Sequence, residues 1–260
     1  MSKSGQARVL SPEDQARLFD EISKNRHPEK NTAIMQLSFK LGLRAQEIAL
    51  LEIKEIAELG SSGDFKLLKI MALPAAYTKG ADAMNRSKAK YERKTVNFKK
   101  EEFDKVIRQV EELVKAGVKI KPENFYPSII EHKGKSRDLP MVDHDLRDAL
   151  CAYLELRISK DKKLRPSDKL FITQKGGSYS PNTLQEHMAL MLRRWAGIEK
   201  ASSHSGRRTL ITDVIHRQKK SVKVAQIIAG HVNASTTLIY EDPPETEIIT
   251  ALSNLGENNR

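Results

Sequence analysis

Apolar residues recur at helical spacing in short runs, and a glycine or proline punctuates many of them. A chain patterned this way packs short helices on a shared core; it builds neither a long coiled coil nor a large sheet. Ser11-Pro12-Glu13-Asp14 predicts a helix start running to about Lys24, with a capping hydroxyl, a proline suited to the first position and acids at the positive helix end. A second helix from Asn31 or Thr32 puts Ile34, Leu37 and Leu41 on one face and stops at Gly42. A third runs from Arg44 to about Glu55, with Ile48, Leu51 and Leu50 inward. Further helices are predicted over 101–116 (Phe103, Ile107, Val110, Val114; ended by Gly117), 144–157, and from Ser180-Pro181 through Trp195. Short pieces follow over 204–217, 221–229 and 235–241.

Strand signals are few. Phe65 to Met71 reads as one strand, and Tyr126 to Pro140 as a β-hairpin turning at Gly134. The fold class expected is therefore mainly α with a small antiparallel β-sheet (α+β), in a single domain over 1–260. Residues 72–123 look like a basic, partly helical insertion. Its Lys79, Arg86, Lys88, Lys90, Arg93, Lys94, Lys99 and Lys100 form either a DNA-contacting segment or a solvated charged surface. Residues 241–260 form a C-terminal tail that opens on Pro243-Pro244.

Lys and Arg number 45 against 34 Asp and Glu, a formal charge of +11, and that excess favours a polyanionic partner, above all nucleic acid. The single Cys151 excludes an internal disulfide and a multi-cysteine zinc site. No stretch approaches the roughly 20 apolar residues needed to span a bilayer. The first residues, MSKSGQARVLSPED, have no apolar core of a secretory signal, and a cytoplasmic, nucleoid-associated location is expected.

One cluster carries chemistry: His204-Ser-Gly-Arg207-Arg208, then Gly230-His231 and, nine residues beyond His231, Tyr240. His204 and Arg207 are three apart at a helix start, so both can face one site. Upstream stand Gly42-Leu43-Arg44-Ala45-Gln46-Glu47 and Lys133-Gly134-Lys135-Ser136-Arg137. In order and spacing these segments resemble the tyrosine recombinases of the phage-integrase family, over roughly residues 10–245. That family reads Gly-x-Arg-x-x-Glu, a hairpin lysine, His-x-x-Arg, and Gly-His-(x)8-Tyr.

The resemblance implies a catalytic-domain fold and a site-specific recombinase that cleaves and rejoins double-stranded DNA through a 3′-phosphotyrosine. Tyr240 is then the nucleophile. Arg44 and Arg207 clamp the phosphate with paired hydrogen bonds, and His231 adds another. His204 is the candidate base, because a free phenol near pKa 10 needs help losing its proton. A lysine protonates the leaving 5′ oxygen. Lys133 fits that role, Lys135 is the runner-up, and Lys79 is a third option; the turn is about one residue short, so His132 could align instead. Glu47 has a structural role near the site, and Arg208 joins Lys79, Arg86, Lys88, Lys90, Arg93 and Lys94 as a DNA contact. The scheme requires no metal and no cofactor.

Two departures from the family are expected: the sequence begins where the catalytic domain should begin, without the usual N-terminal core-binding domain, as either a short recombinase or a piece of a longer protein would, and it carries the 72–123 segment. A homotetramer on synapsed DNA is implied, with accessory DNA-bending proteins as further partners. The tail docks either on a neighbouring subunit or on its own domain. Two rivals remain: a type IB topoisomerase-like activity and a non-catalytic helix-turn-helix regulator.

Overall fold

The structure is a computed structural model. It describes residues 7–60, 64–77, 92–96, 100–119, 129–133, 136–161, 163–231, 233–240 and 253, with backbone alone at 76, 92–96, 100, 102 and 129–133. Helices α1 (Pro12–Lys24), α2 (Pro28–Leu41) and α3 (Ala45–Leu50) come first. Strands β1 (Ala57–Leu59), β2 (Phe65–Leu67), β3 (Ile70–Leu73) and β4 (Glu92–Val96) follow, then helix α4 (Lys100–Lys115). Strands β5 (Ile129–Lys133) and β6 (Arg137–Pro140) precede α5 (His144–Lys160) and α6 (Pro181–Leu190). The C-terminal half closes with α7 (Ser205–Thr212), α8 (Val222–Ala229) and α9 (Ser235–Leu238). Both α6 and α7 continue into a π-helical turn, at Met191–Trp195 and Asp213–Arg217.

Helix α2 is the hub, packed against α1, α5 and α7. It starts at Pro28, earlier than the periodicity predicts, because proline at the first helical position loses no internal hydrogen bond. Ala33, Ile34, Met35 and Leu37 are all fully buried, so every face of α2 is covered and not only the stripe expected. Gly42 ends it in the left-handed region at φ 63°. At the α2–α7 crossing a Cβ on Gly206 would lie 2.5 Å from Ser38 Oγ and 3.2 Å from the Ser38 backbone carbon, so glycine is what lets the two helices touch.

The Ser11 hydroxyl caps α1 at the Asp14 N–H, 3.1 Å, as predicted. Leu184, Met188 and Met191 are fully buried, with Trp195 packed against the same core. A second, smaller core joins Ile211, Val214, Ile215, Ala225 and Ala229, with Leu210, Ile228 and Tyr240 packed against it. Cys151 is a free, half-buried thiol beside the main core.

The strand prediction needs two corrections. Phe65 to Met71 is not one strand: it divides at Leu68-Lys69, with β2 antiparallel to β1 and β3 antiparallel to β6. Nor do the described residues around Gly134 form a hairpin, since β5 pairs with β4 and β6 with β3. The register explains the second correction. Met71 opposes Leu139, and burying that pair on the core (0% and 5% exposed) draws β6 onto β3. Among the described residues the sheet content is therefore three two-stranded ladders. The third predicted helix is also shorter than expected: α3 stops at Leu50, and Ile53–Glu55 is a separate 3-10 turn.

Candidate active site

The reversal at Gly42 places Arg44 at the N-terminus of α3, where its backbone N–H donates to Glu47 Oε2 at 2.8 Å and its Nη1 to Glu47 Oε1 at 2.9 Å. Glu47 is fully buried. Its Oε2 also faces Arg137 Nη2 at 2.9 Å, so one carboxylate lies between two guanidinium groups from α3 and β6. The Arg44–Glu47 pair is thus no solvated surface bridge.

Arg207 projects from the first turn of α7 and is 4% exposed. Its Nη1 donates to the Gly42 carbonyl at 2.5 Å and its Nη2 to the Ala229 carbonyl, which joins the ends of α2 and α8. Burial pulls its pKa down to about 9, with the Arg44 charge next in importance and Glu47 opposing. Arg207 thus remains cationic at neutral pH.

Gly230 ends α8 in the left-handed region (φ 61°), and His231 follows at once. The His231 Nδ1 lies 2.9 Å from Thr237 Oγ1, which ties the turn to α9. Burial, then Arg207, Arg44 and Arg137, lower its pKa to about 4, so the imidazole is neutral at pH 7. Tyr240 sits just past α9. Its ring stacks on His231 (centroids 6.0 Å apart, 21° between planes), and the Arg208 guanidinium lies 5.8 Å from its centroid. The Tyr240 carbonyl accepts from His216 Nε2 at 2.9 Å.

Arg44 and Arg137 therefore face buried Glu47, their charges and that of Arg207 act on His231, and Tyr240 stacks on His231. His204 is the N-cap of α7, with its side chain exposed. Lys133 ends β5, where only the backbone is described, and Arg93 and Lys94 sit likewise on β4 opposite His132 and Glu131. Lys79, Arg86, Lys88, Lys90, Lys135 and most of the tail lie outside the described residues. Arg208, expected from the sequence to be a DNA contact, is half-buried against Tyr240. Among the described residues no group of three His, Cys, Asp or Glu could hold a metal ion, and no helix is long and apolar enough to cross a membrane.

Residues 112–247, more than half of the sequence, match the family described as "Phage integrase family". The chain belongs to the phage integrase family. This phage integrase family member is 30% identical over 125 residues to tyrosine recombinase XerC of Methylobacterium sp. (strain 4-46), a stretch covering 48% of this chain and 37% of that relative. It thus spans well under half the length of the curated relative it matches. The XerA recombinase structure superposes with a TM-score of 0.56 at 20% identity, covering 100% of this chain and 67% of that one. The Tn1549 transposon integrase in complex with transposon right end DNA gives 0.56 at 14%, covering 98% and 68%. XerH bound to a palindromic difH substrate gives 0.55 at 15%, covering 94% and 52%. These structural likenesses establish the shared fold.

Two residues of the candidate site carried no role in the sequence reading. Arg137 lies 90 positions from Glu47, and only the β3–β6 pairing brings it there. His216 reaches Tyr240 from the π-helical turn after α7, where the helical phase shifts. The Arg at the end of the Lys133–Arg137 segment was a visible signal for the first; nothing in the spacing marks the second.

Proposed function

We propose that this chain is a site-specific DNA strand transferase acting through Tyr240. The observation that carries the reading is the seating of that tyrosine, stacked on His231, which itself lies under the charges of Arg207, Arg44 and Arg137. A buried cluster with three guanidinium groups and one carboxylate holds an excess of positive charge, and a phosphodiester is the anion that would balance it. XerH is described in both pre-cleavage and post-cleavage complexes with its difH substrate, which supports the same chemistry here.

In the proposed reaction the Tyr240 phenolic oxygen attacks phosphorus while the bond from phosphorus to the 5′ oxygen breaks. The phenolic proton leaves to a base, with His204 the family's candidate, and the 5′ oxygen gains a proton from a lysine, Lys133 or Lys135. A partner strand's 5′ hydroxyl then displaces Tyr240, so the bond energy is conserved. Arg44, Arg207 and His231 stabilise the charge on the non-bridging oxygens. The His231 imidazole, neutral in the free protein, can donate one hydrogen bond from Nε2 while Nδ1 holds Thr237. Assembly as a tetramer on paired duplexes, with DNA-bending partners at the nucleoid, belongs to the same proposal.

The test is a covalent trap. Nicked duplexes carrying a bound site are incubated with the protein, and SDS-resistant adducts are scored beside Tyr240→Phe. An adduct absent from the variant supports the reading. A duplex that binds but yields no adduct overturns it in favour of a regulator that grips DNA without cutting.

A further inference from the structure

We propose that Arg137 is a positioning residue of this site. It braces Glu47, and through Glu47 the guanidinium of Arg44, while fastening β6 to the end of α8 that carries His231. The proposal rests on the strand-transfer reading above for its chemistry, but not for its geometry.

The geometry is a two-directional clamp. One arm, Nη2, lies 2.9 Å from Glu47 Oε2; the other, Nη1, donates to the Ile228 carbonyl at 2.8 Å. The side chain is only 8% exposed. Ile228 lies three residues before His231, so one planar group spans both halves of the catalytic cluster. Lysine could not replace it, because an ammonium has no rigid fork to address two acceptors in different directions.

Gly230 supports the same conclusion. A Cβ there would collide with Arg137 Cδ and sit 2.7 Å from its Nε. The glycine therefore serves two purposes: it adopts the left-handed turn, and it leaves a slot for this arginine. A purely structural tie would be cheaper to build from apolar side chains, since burying a charge carries a desolvation penalty. A second guanidinium held against the same carboxylate instead preserves the positive field, and it stands at the start of β6, just beyond the Lys133–Lys135 connection.

Arg137→Gln, Arg137→Lys and Arg137→Ala proteins would be compared with wild type, each held well below its own melting temperature. The first readout is adduct formation on a nicked duplex together with DNA affinity. The expected result is an adduct rate down by about 100-fold in Arg137→Gln and Arg137→Lys, with affinity changed by less than about threefold. Guanidinium ion restores part of the rate to Arg137→Ala and none to Tyr240→Phe. The second readout is the NMR titration of His231 in the free protein. Loss of the Arg137 cation should raise its midpoint in Arg137→Gln by at least about 0.5. Adduct rates within about threefold of wild type, or an unmoved His231 titration, would overturn the proposal. If wild type forms no adduct, strand transfer is refuted, and the His231 titration alone decides whether Arg137 organises the cluster.

Discussion

Glu47 is where the balance of charges is most delicate, because among the described residues it faces both Arg44 and Arg137 from a fully buried position. Glu47→Gln removes the counter-charge and leaves the cations to repel one another. The expected loss of stability is about 3–5 kcal/mol, the usual penalty for breaking a buried pair by deleting one partner. Phosphate in the buffer should recover part of it, measured as a melting-temperature gain larger than wild type shows. His231 sets the acid side of the stability curve. Its pKa is about 4 when folded and 6.5 as a free imidazole, so the unfolded chain binds more protons between those values. Its contribution is complete above about 6.5 and fades as pH falls towards 4. His231→Gln should flatten melting temperature against pH in that window; His187, also lowered to about 4 by burial, retains the rest. Arg44, Glu47, Arg207, His231 and Tyr240 were legible because spacing along the chain preserves them. Arg137 was not, since its partner Glu47 lies 90 positions away and the β3–β6 pairing is what places Arg137 beside it.

At the level of elements, the crossing of α2 and α7 decides whether Arg207 reaches the Gly42 carbonyl. Gly206→Ala would push a methyl against Ser38 and open that crossing. Overpacking of this kind costs about 1–3 kcal/mol. Because the separation also lifts Arg207 from its carbonyl, adduct formation should fall more steeply than stability, comparing cleavage rates with chemical denaturation. Helix ends were readable wherever a local residue dictates them, as at Ser11, Gly42, Gly117 and Gly230. Strand partners were not, because three to five residues of alternation do not say which other strand will cover them. Burial of Leu139 against Met71 settled that choice only in three dimensions.

For the molecule as a whole, a charge of +11 predicts DNA affinity that weakens steeply with salt. Replacing Arg86, Lys88, Lys90 and Lys94 together with Gln should flatten the slope of log affinity against log salt by about 0.9 for each lost phosphate contact, read by fluorescence anisotropy. An unchanged slope would mark the segment as a solvated surface. Substitution is the appropriate change here: deleting 78–100 would also remove β4, the strand on which β5 and Lys133 depend. The net charge was visible from composition, whereas the tie between the basic segment and the candidate lysine emerged only from the β4–β5 ladder. That ladder has a consequence for how such sequences can diverge. In a true hairpin the connecting turn sets the register, and one added residue slides every pair beyond it. Here β5 and β6 are each anchored to a different partner, so the Lys133–Arg137 connection can gain or lose a residue while both ladders keep their alignment. Drift in loop length, which ordinarily scrambles a sheet, becomes a neutral change that moves a lysine past a fixed arginine.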